Sequence, residues 1–474
     1  MSAPQQNWRR TVWGFAVLIA IYLIITELFP GPASLTASAW HLTGLFFATV
    51  AGLIIRPIPG GGLVLLAITL TPLLTTMKLS DALGGYADST VWLVQAAFFI
   101  SRALINTGLA RRIALGFVRL FGHSTLGVSY ALSLSDMVLA TIIPSNGARS
   151  GGVILPIVRS IAELYGSTPG ATANRVGAFL MAGVYQAICV TAAMFYTGQA
   201  SNPLAAQMAG NLGYRVTWGG WLVAGIVPGL ISLALVPWVV MKLFPPEVRR
   251  TPEAAEFARA ELEKMGPLSS KEKLLSVVFA GVCGAWVSSS WTGIDITVAA
   301  LLGSMVLLVT GVLDWEHIIS EHAAWDIFLW YGGLLRLGKA LNENGVTETF
   351  AKAVGARFEG LHWFPLLVIA VLIFYYSHYF FASITAHMLA MYAPFLVLLA
   401  HSGAPLGLVV FSLACFLNLS AGLTNYGTTP APMFFAQGYV SMKDWWRIGF
   451  VISLCHLLVW GTVGFGWWKL LGLW

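Results

Sequence analysis

Ser145-Asn146-Gly147-Ala148-Arg149 recurs in altered form as Ser383-Ile384-Thr385-Ala386-His387, an offset of 238 residues, and a proline follows each copy at the same distance, Pro156 and Pro394. Both copies lie between apolar stretches. The apolar segments that follow, Ser150 to Glu163 and Ala386 to Ala400, are too short to cross about 30 Å of hydrocarbon. Each copy therefore reads as the tip of a re-entrant hairpin that turns near the midplane, where irregular backbone is tolerated only against protein or a wet cavity. Gly147, Gly151 and Gly152 suit a tight turn with close backbone approach; the second tip lacks glycine.

The duplication extends beyond the tips. Arg102-Ala103-Leu104-Ile105-Asn106-Thr107-Gly108 is matched by Lys339-Ala340-Leu341-Asn342-Glu343-Asn344-Gly345, and Thr197-Gly198-Gln199-Ala200-Ser201-Asn202-Pro203 by Tyr426-Gly427-Thr428-Thr429-Pro430-Ala431-Pro432. The long polar stretch from Phe244 to Lys273 separates the two halves, and within it Thr251, Pro252 and Glu253 can start a short linker helix. The expected organisation is N-terminal scaffold helices over 1–87 and a first repeat over 88–243, with its hairpin at about 123–163. A cytoplasmic linker follows over 244–273, then scaffold helices over 274–323, then a second repeat over 324–474 with its hairpin at about 361–402.

Composition fixes the solvent. The chain of 474 residues is 57% hydrophobic and 10% charged, where a soluble fold would carry about 25% charged residues. Runs such as Val12–Phe29, Ala39–Ile55 and Trp221–Val240 meet or approach the length of a bilayer-spanning helix. Starting with the N-terminus inside, span counting puts Arg9, Arg10, Arg56, Arg111, Arg112 and most other cations on the cytoplasmic side. Little beyond Lys78, Arg215, Lys352, Arg357 and Lys469 falls outside. The net charge of +6 thus orients the chain and implies no nucleic-acid partner. By the same count the two halves have opposite orientations, the inverted-repeat design of secondary carriers. Cys189, Cys283, Cys415 and Cys455 lie in apolar spans without paired spacing and read as small hydrophobes. The first span reads as an anchor, and a bacterial inner membrane is the economical location.

Small polar tips inside hydrophobic flanks are what a membrane carrier uses to hold a polar solute at mid-depth. Each tip begins a half-helix, whose unpaired N–H groups and partial positive charge favour a carboxylate or phosphate. Ser145, Asn146, Ser383 and Thr385 add neutral donors, so two opposed tips suit a solute with two anionic ends. The polar, proline-bearing segments after the tips, with Gly198 and Thr428, read as helix breaks that supply carbonyls and hydroxyls. Arg149 and His387 occupy equivalent places, and an ionisable group in a membrane span is by default a functional candidate. If both face the cavity, the empty site carries fixed positive charge that a bound dianion offsets, which favours exchange over one-way transport. The alternatives are that Arg149 pairs with a carboxylate such as Asp136 and that His387 is a neutral histidine bonded inside the bundle. The chain has no HExxH and no GxSxG, so an intramembrane enzyme is not indicated, and no cofactor is called for.

Three stretches, Pro144–Gly152 (PSNGARSGG), His378–Pro394 (HYFFASITAHMLAMYAP) and Thr424–Tyr439 (TNYGTTPAPMFFAQGY), resemble the divalent anion:sodium symporter superfamily. They are most similar to the branch of bacterial citrate/succinate and tartrate/succinate exchangers and plastid dicarboxylate translocators. The resemblance implies an all-α polytopic membrane protein of about 11 transmembrane segments, built as a homodimer of elevator carriers. Its expected solutes are di- or tricarboxylates of the succinate, malate, tartrate, 2-oxoglutarate and citrate class. Carried over by position, substrate contacts fall on Ser145, Asn146, Gly147, Ser383, Ile384, Thr385, Gly198 and Thr428. Sodium-coupled members read Ser-Asn-Thr at each tip, and a sodium ion, if bound here, would sit near Thr141, Ser145, Asn146 and Gly198. Gly147 and Ile384 depart from that pattern, which favours sodium-independent antiport over the alternative of sodium-coupled symport on the same fold.

Overall fold

The computed structural model describes residues 8–355 and 362–474; Arg357 lies outside them. Apart from one isolated bridge, Ser124 with Arg250, the regular structure among the described residues is helical. Nine of these helices are long and apolar enough to cross a membrane, or ten if the bent pair Ser89–Asn106 and Leu109–Phe121 is one span. Three shorter apolar helices, Gly60–Leu74, Thr125–Ala140 and Ile296–Val309, stand beside them.

Each tip joins two helical arms. In hairpin 1, Thr125–Ala140 leads to a turn at 141–145, and the chain returns as one continuous helix over 146–164. In hairpin 2, Trp363–Ser377 leads through His378–Phe380 to a return helix, Ile384–His401. The leading arms of 16 and 15 residues are about 24 and 22 Å long, short of the hydrocarbon thickness. The return arms are longer than the sequence reading allowed, because they start at the tip residues themselves: Ser145 and Ser383 are their N-caps.

Both return arms share an internal pattern. Four α-helical residues, Asn146–Arg149 or Ile384–His387, are followed by a five-residue π-helical turn, Ser150–Ile154 or Met388–Tyr392, and α-helix then resumes. Pro156 and Pro394 are the second residues of the resumed helix. A proline ring clashes with the carbonyl four residues earlier and offers no N–H to it. Gly152 and Ala390, which carry those carbonyls, lie inside the π turns, so the helix widens where the proline would collide.

Behind the hairpins, two helices break as their sequences required. Gly177–Met194, buried along its whole length, stops before Phe195–Ala200 and resumes as Ser201–Asn211. Leu406–Leu419 passes through a tight turn at Ser420–Leu423, opens at 424–429 and resumes as Pro430–Phe435. The freed carbonyls find side chains. Asn202 Nδ2 donates to Ala192 O and Phe195 O at 2.8 Å, and Asn418 Nδ2 donates to Asn202 Oδ1 at 2.8 Å. Tyr185 and Gln186 donate to Ala421 O and Gly422 O.

The polar stretch forms the helix Pro252–Met265, and the next helix, Ser270–Thr292, starts inside the expected linker. Thr251 sits at the N-cap position but its hydroxyl donates to Gly122 O at 2.8 Å instead of capping. Arg111–Glu261 and Arg112–Glu272 pairs fasten this region to the amphipathic helix Leu109–Phe121.

Candidate functional site

The tips of the two hairpins line one cavity of about 870 Å³. Ser145, Asn146, Ser383 and Thr385 form its inner wall, together with Gln199 and Thr429 from the two helix breaks. The facing wall is built from Arg10, Thr11, the segment Arg56–Gly60, Asp326 and Trp330.

Capping fixes the serines. Ser145 Oγ accepts from Ala148 N at 3.1 Å and Ser383 Oγ from Ala386 N at 3.5 Å, so each hydroxyl proton is left to donate elsewhere. At the first two positions of each return helix, Asn146 with Gly147 and Ile384 with Thr385, the N–H groups have no intrahelical acceptor. Two helix starts, each with roughly half a unit of positive charge, thus meet at one cavity.

Gly147, Ile384, Gly198 and Thr428 stand one layer back. Asn146, at the cavity wall, is 2% exposed and its Nδ2 donates to Thr428 Oγ1 at 3.0 Å, a bond between the repeats. Gly147 packs against Thr429: a Cβ there would meet Thr429 Cγ2 at 2.8 Å. Its glycine is a matter of close approach, and Thr429 takes the cavity wall. Ile384 is 2% exposed and does not line the cavity.

Arg149 and His387 do not face the cavity, which corrects the expectation of a free charge there. Arg149 is fully buried. Its Nε donates to Asp136 Oδ1 at 2.9 Å, and Nη1 donates to Ile143 O at 2.7 Å and Gly198 O at 2.8 Å. Asp136 also accepts from Thr191 Oγ1. One helical turn beyond the cap, the side chain runs back along the hairpin to the leading arm, where an isolated guanidinium would otherwise lack a counter-charge. In the second repeat, His387 is sandwiched between Phe374 and Phe381, at 4.5 and 4.8 Å between ring centres. Its Nδ1 lies 2.9 Å from His378 Nδ1, and its Nε2 lies 3.0 Å from Ser377 Oγ. His378 Nε2 in turn bonds Gly427 O at 2.9 Å. Gly198 and Gly427 are equivalent positions of the two breaks, so a basic side chain holds the same carbonyl in each repeat.

That Arg149 contact bears on the sodium position near Thr141, Ser145, Asn146 and Gly198. The Gly198 carbonyl is taken by the guanidinium, Thr141 O accepts from Thr197 Oγ1, and Ser145 Oγ accepts from the backbone. Three of the oxygens a cation would gather there thus already accept a hydrogen bond.

Comparison with known proteins agrees with this architecture. The family description "Sodium:sulfate symporter transmembrane region" matches residues 9–474. The chain is 44% identical to YflS of Bacillus subtilis (strain 168) over 460 residues, covering 97% of this chain and 96% of that one. It is 40% identical over 456 residues to the chloroplastic dicarboxylate transporter 1 of Arabidopsis thaliana, covering 95% of this chain and 82% of the relative. Among solved structures, the YdaH transporter of Alcanivorax borkumensis superimposes with a TM-score of 0.53 at 15% identity over 99% of both chains, a likeness of fold alone. With duplicated tips, broken helices and a family match along nearly its whole length, this chain belongs to the sodium:sulfate symporter family of the divalent anion:sodium symporter superfamily and is a membrane transporter, not an enzyme.

Proposed function

We propose that this transporter exchanges small dicarboxylates, or tricarboxylates of similar size, across a bacterial inner membrane without sodium. The observation that carries the reading is Arg149, whose guanidinium holds the Gly198 carbonyl where a coupled carrier would hold its ion. The names of the chloroplastic relatives, dicarboxylate transporters at 40% and 39% identity, support the solute class.

The case for exchange does not rest on a naked positive charge, because Asp136 neutralises Arg149. It rests on the tips. Each tip offers a serine hydroxyl at the cavity and, at the start of its return helix, N–H groups with no intrahelical acceptor, which water can satisfy when the site is open. Carrying them through hydrocarbon unsatisfied would cost several kcal/mol for each group. A bound dicarboxylate satisfies one set with each carboxylate, so the loaded form crosses and the empty form does not. In this reading both hairpins and both breaks move together against the wall that carries Arg56 and Asp326, within a homodimer whose N-termini are cytoplasmic.

Proteoliposomes preloaded with succinate test it. Labelled dicarboxylate is expected to enter in sodium-free buffer and to fail to enter empty vesicles. Uptake into empty vesicles driven by a sodium gradient would overturn the reading in favour of coupled symport.

A further inference from the structure

Arg56 ends the helix Ala37–Ile55 in the left-handed region, with φ 53° and ψ 60°. It is the one non-glycine residue with positive φ among the described residues. Helices that end this way normally place glycine or asparagine there, because a Cβ crowds the backbone. Pro57 adds to the strain, since the residue before a proline is pushed toward extended conformations. The backbone thus argues for glycine at 56, and the chain holds arginine. Strain of this kind persists where the side chain has a task.

The position of Arg56 points to that task. It is exposed and lines the mouth of the tip cavity, as does Arg10. The start of the first helix is tied to the same segment by Thr11 Oγ1, which donates to Pro57 O at 3.2 Å. Asp326, the carboxylate of this wall, is engaged: its Oδ1 accepts from Gly61 N at 2.9 Å, at the start of Gly60–Leu74. The mouth therefore presents two guanidinium groups against one carboxylate that is already hydrogen-bonded.

We propose that Arg56, with Arg10, forms an anion-receiving subsite at the mouth, which takes one carboxylate of an incoming dianion before the tips bind it. The proposal rests on the cavity being the anion path. A guanidinium suits this step because its planar fork matches a carboxylate, and its exposure favours rapid capture and release over tight binding. Charges so placed raise the encounter rate and act more strongly on a dianion than on a monoanion.

Arg56→Gly is the decisive variant, because glycine fits the left-handed backbone and removes only the guanidinium. In reconstituted exchange, the KM for dicarboxylate on the face where Arg56 opens is expected to rise about threefold to tenfold, with Vmax within about twofold of wild type. The dependence of that KM on ionic strength should flatten, and the preference for dianions over monocarboxylates should shrink. Arg56→Lys should retain most of the effect, and Arg10→Gln should reproduce it in weaker form. The KM measured from the opposite face should not change, whereas a general structural defect would lower transport from both. An Arg56→Gly protein with wild-type KM and salt dependence on the Arg56 face would overturn the subsite while leaving dicarboxylate exchange intact. Absence of dicarboxylate exchange in wild-type protein would instead sink the proposed function.

Discussion

Ser145 and Ser383 each use one hydroxyl twice: the oxygen caps a return helix while the proton remains for a solute. Ser145→Ala or Ser383→Ala should therefore lower stability by only about 1 kcal/mol, the usual worth of such a cap. The stabilisation by added succinate in a melting experiment should fall much further, and an unchanged succinate shift in both variants would refute the double role. Arg149 behaves differently. Arg149→Ala leaves Asp136 buried without its partner, a loss of roughly 3–5 kcal/mol that should appear as poor recovery and a lowered melting temperature in detergent. Arg149→Ala combined with Asp136→Asn should recover part of it, because the stranded charge is gone. The serines were legible in the chain because their neighbourhood is written twice. Arg149 was read in the right place, but its local spacing alone did not choose between facing the cavity and pairing with Asp136 on the leading arm. Arg56, Asp326 and Trp330 come from segments brought to the tips only by tertiary packing. Arg56 was visible as a charge that orients the membrane insertion, which concealed its place at the cavity.

Within the elements, the paired prolines explain more than a helix boundary. The equal spacing of Pro156 and Pro394 from their serines was plain, but the widened turn ahead of each was not, because a proline can also kink or end a helix. A π turn holds one residue more than an α turn, so it sets the rotation of the tip relative to the distal half of the arm. Replacing Pro156 or Pro394 by Ala removes the clash and lets the turn close. The expected result is a tip rotated by about 100°, with transport lost while monodispersity and melting temperature hold or improve. A Pro156→Ala protein with wild-type exchange would show that the π turn has no part in placing the tip. The helix breaks were fully legible: polar, proline-bearing segments inside apolar runs leave the backbone no regular partner.

For the molecule as a whole, ligand binding should be visible without transport. A dicarboxylate at a hundred times its dissociation constant stabilises the state it binds by about 2.7 kcal/mol, which a thermal-shift series of di- and tricarboxylates would read directly. The shift is expected to be equal with sodium and with potassium as the counter-ion; a shift that needs sodium would contradict the sodium-free reading. The bond between Asn202 and Asn418 has a further consequence. Through Asn418 the second repeat supplies the donor that the buried Asn202 Oδ1 of the first accepts, so the first half is not a self-sufficient membrane unit. Cutting the chain after Met265 should give a first fragment that accumulates in cells only when the second is made with it, and Asn418→Leu should weaken that rescue before it disturbs the uncut protein.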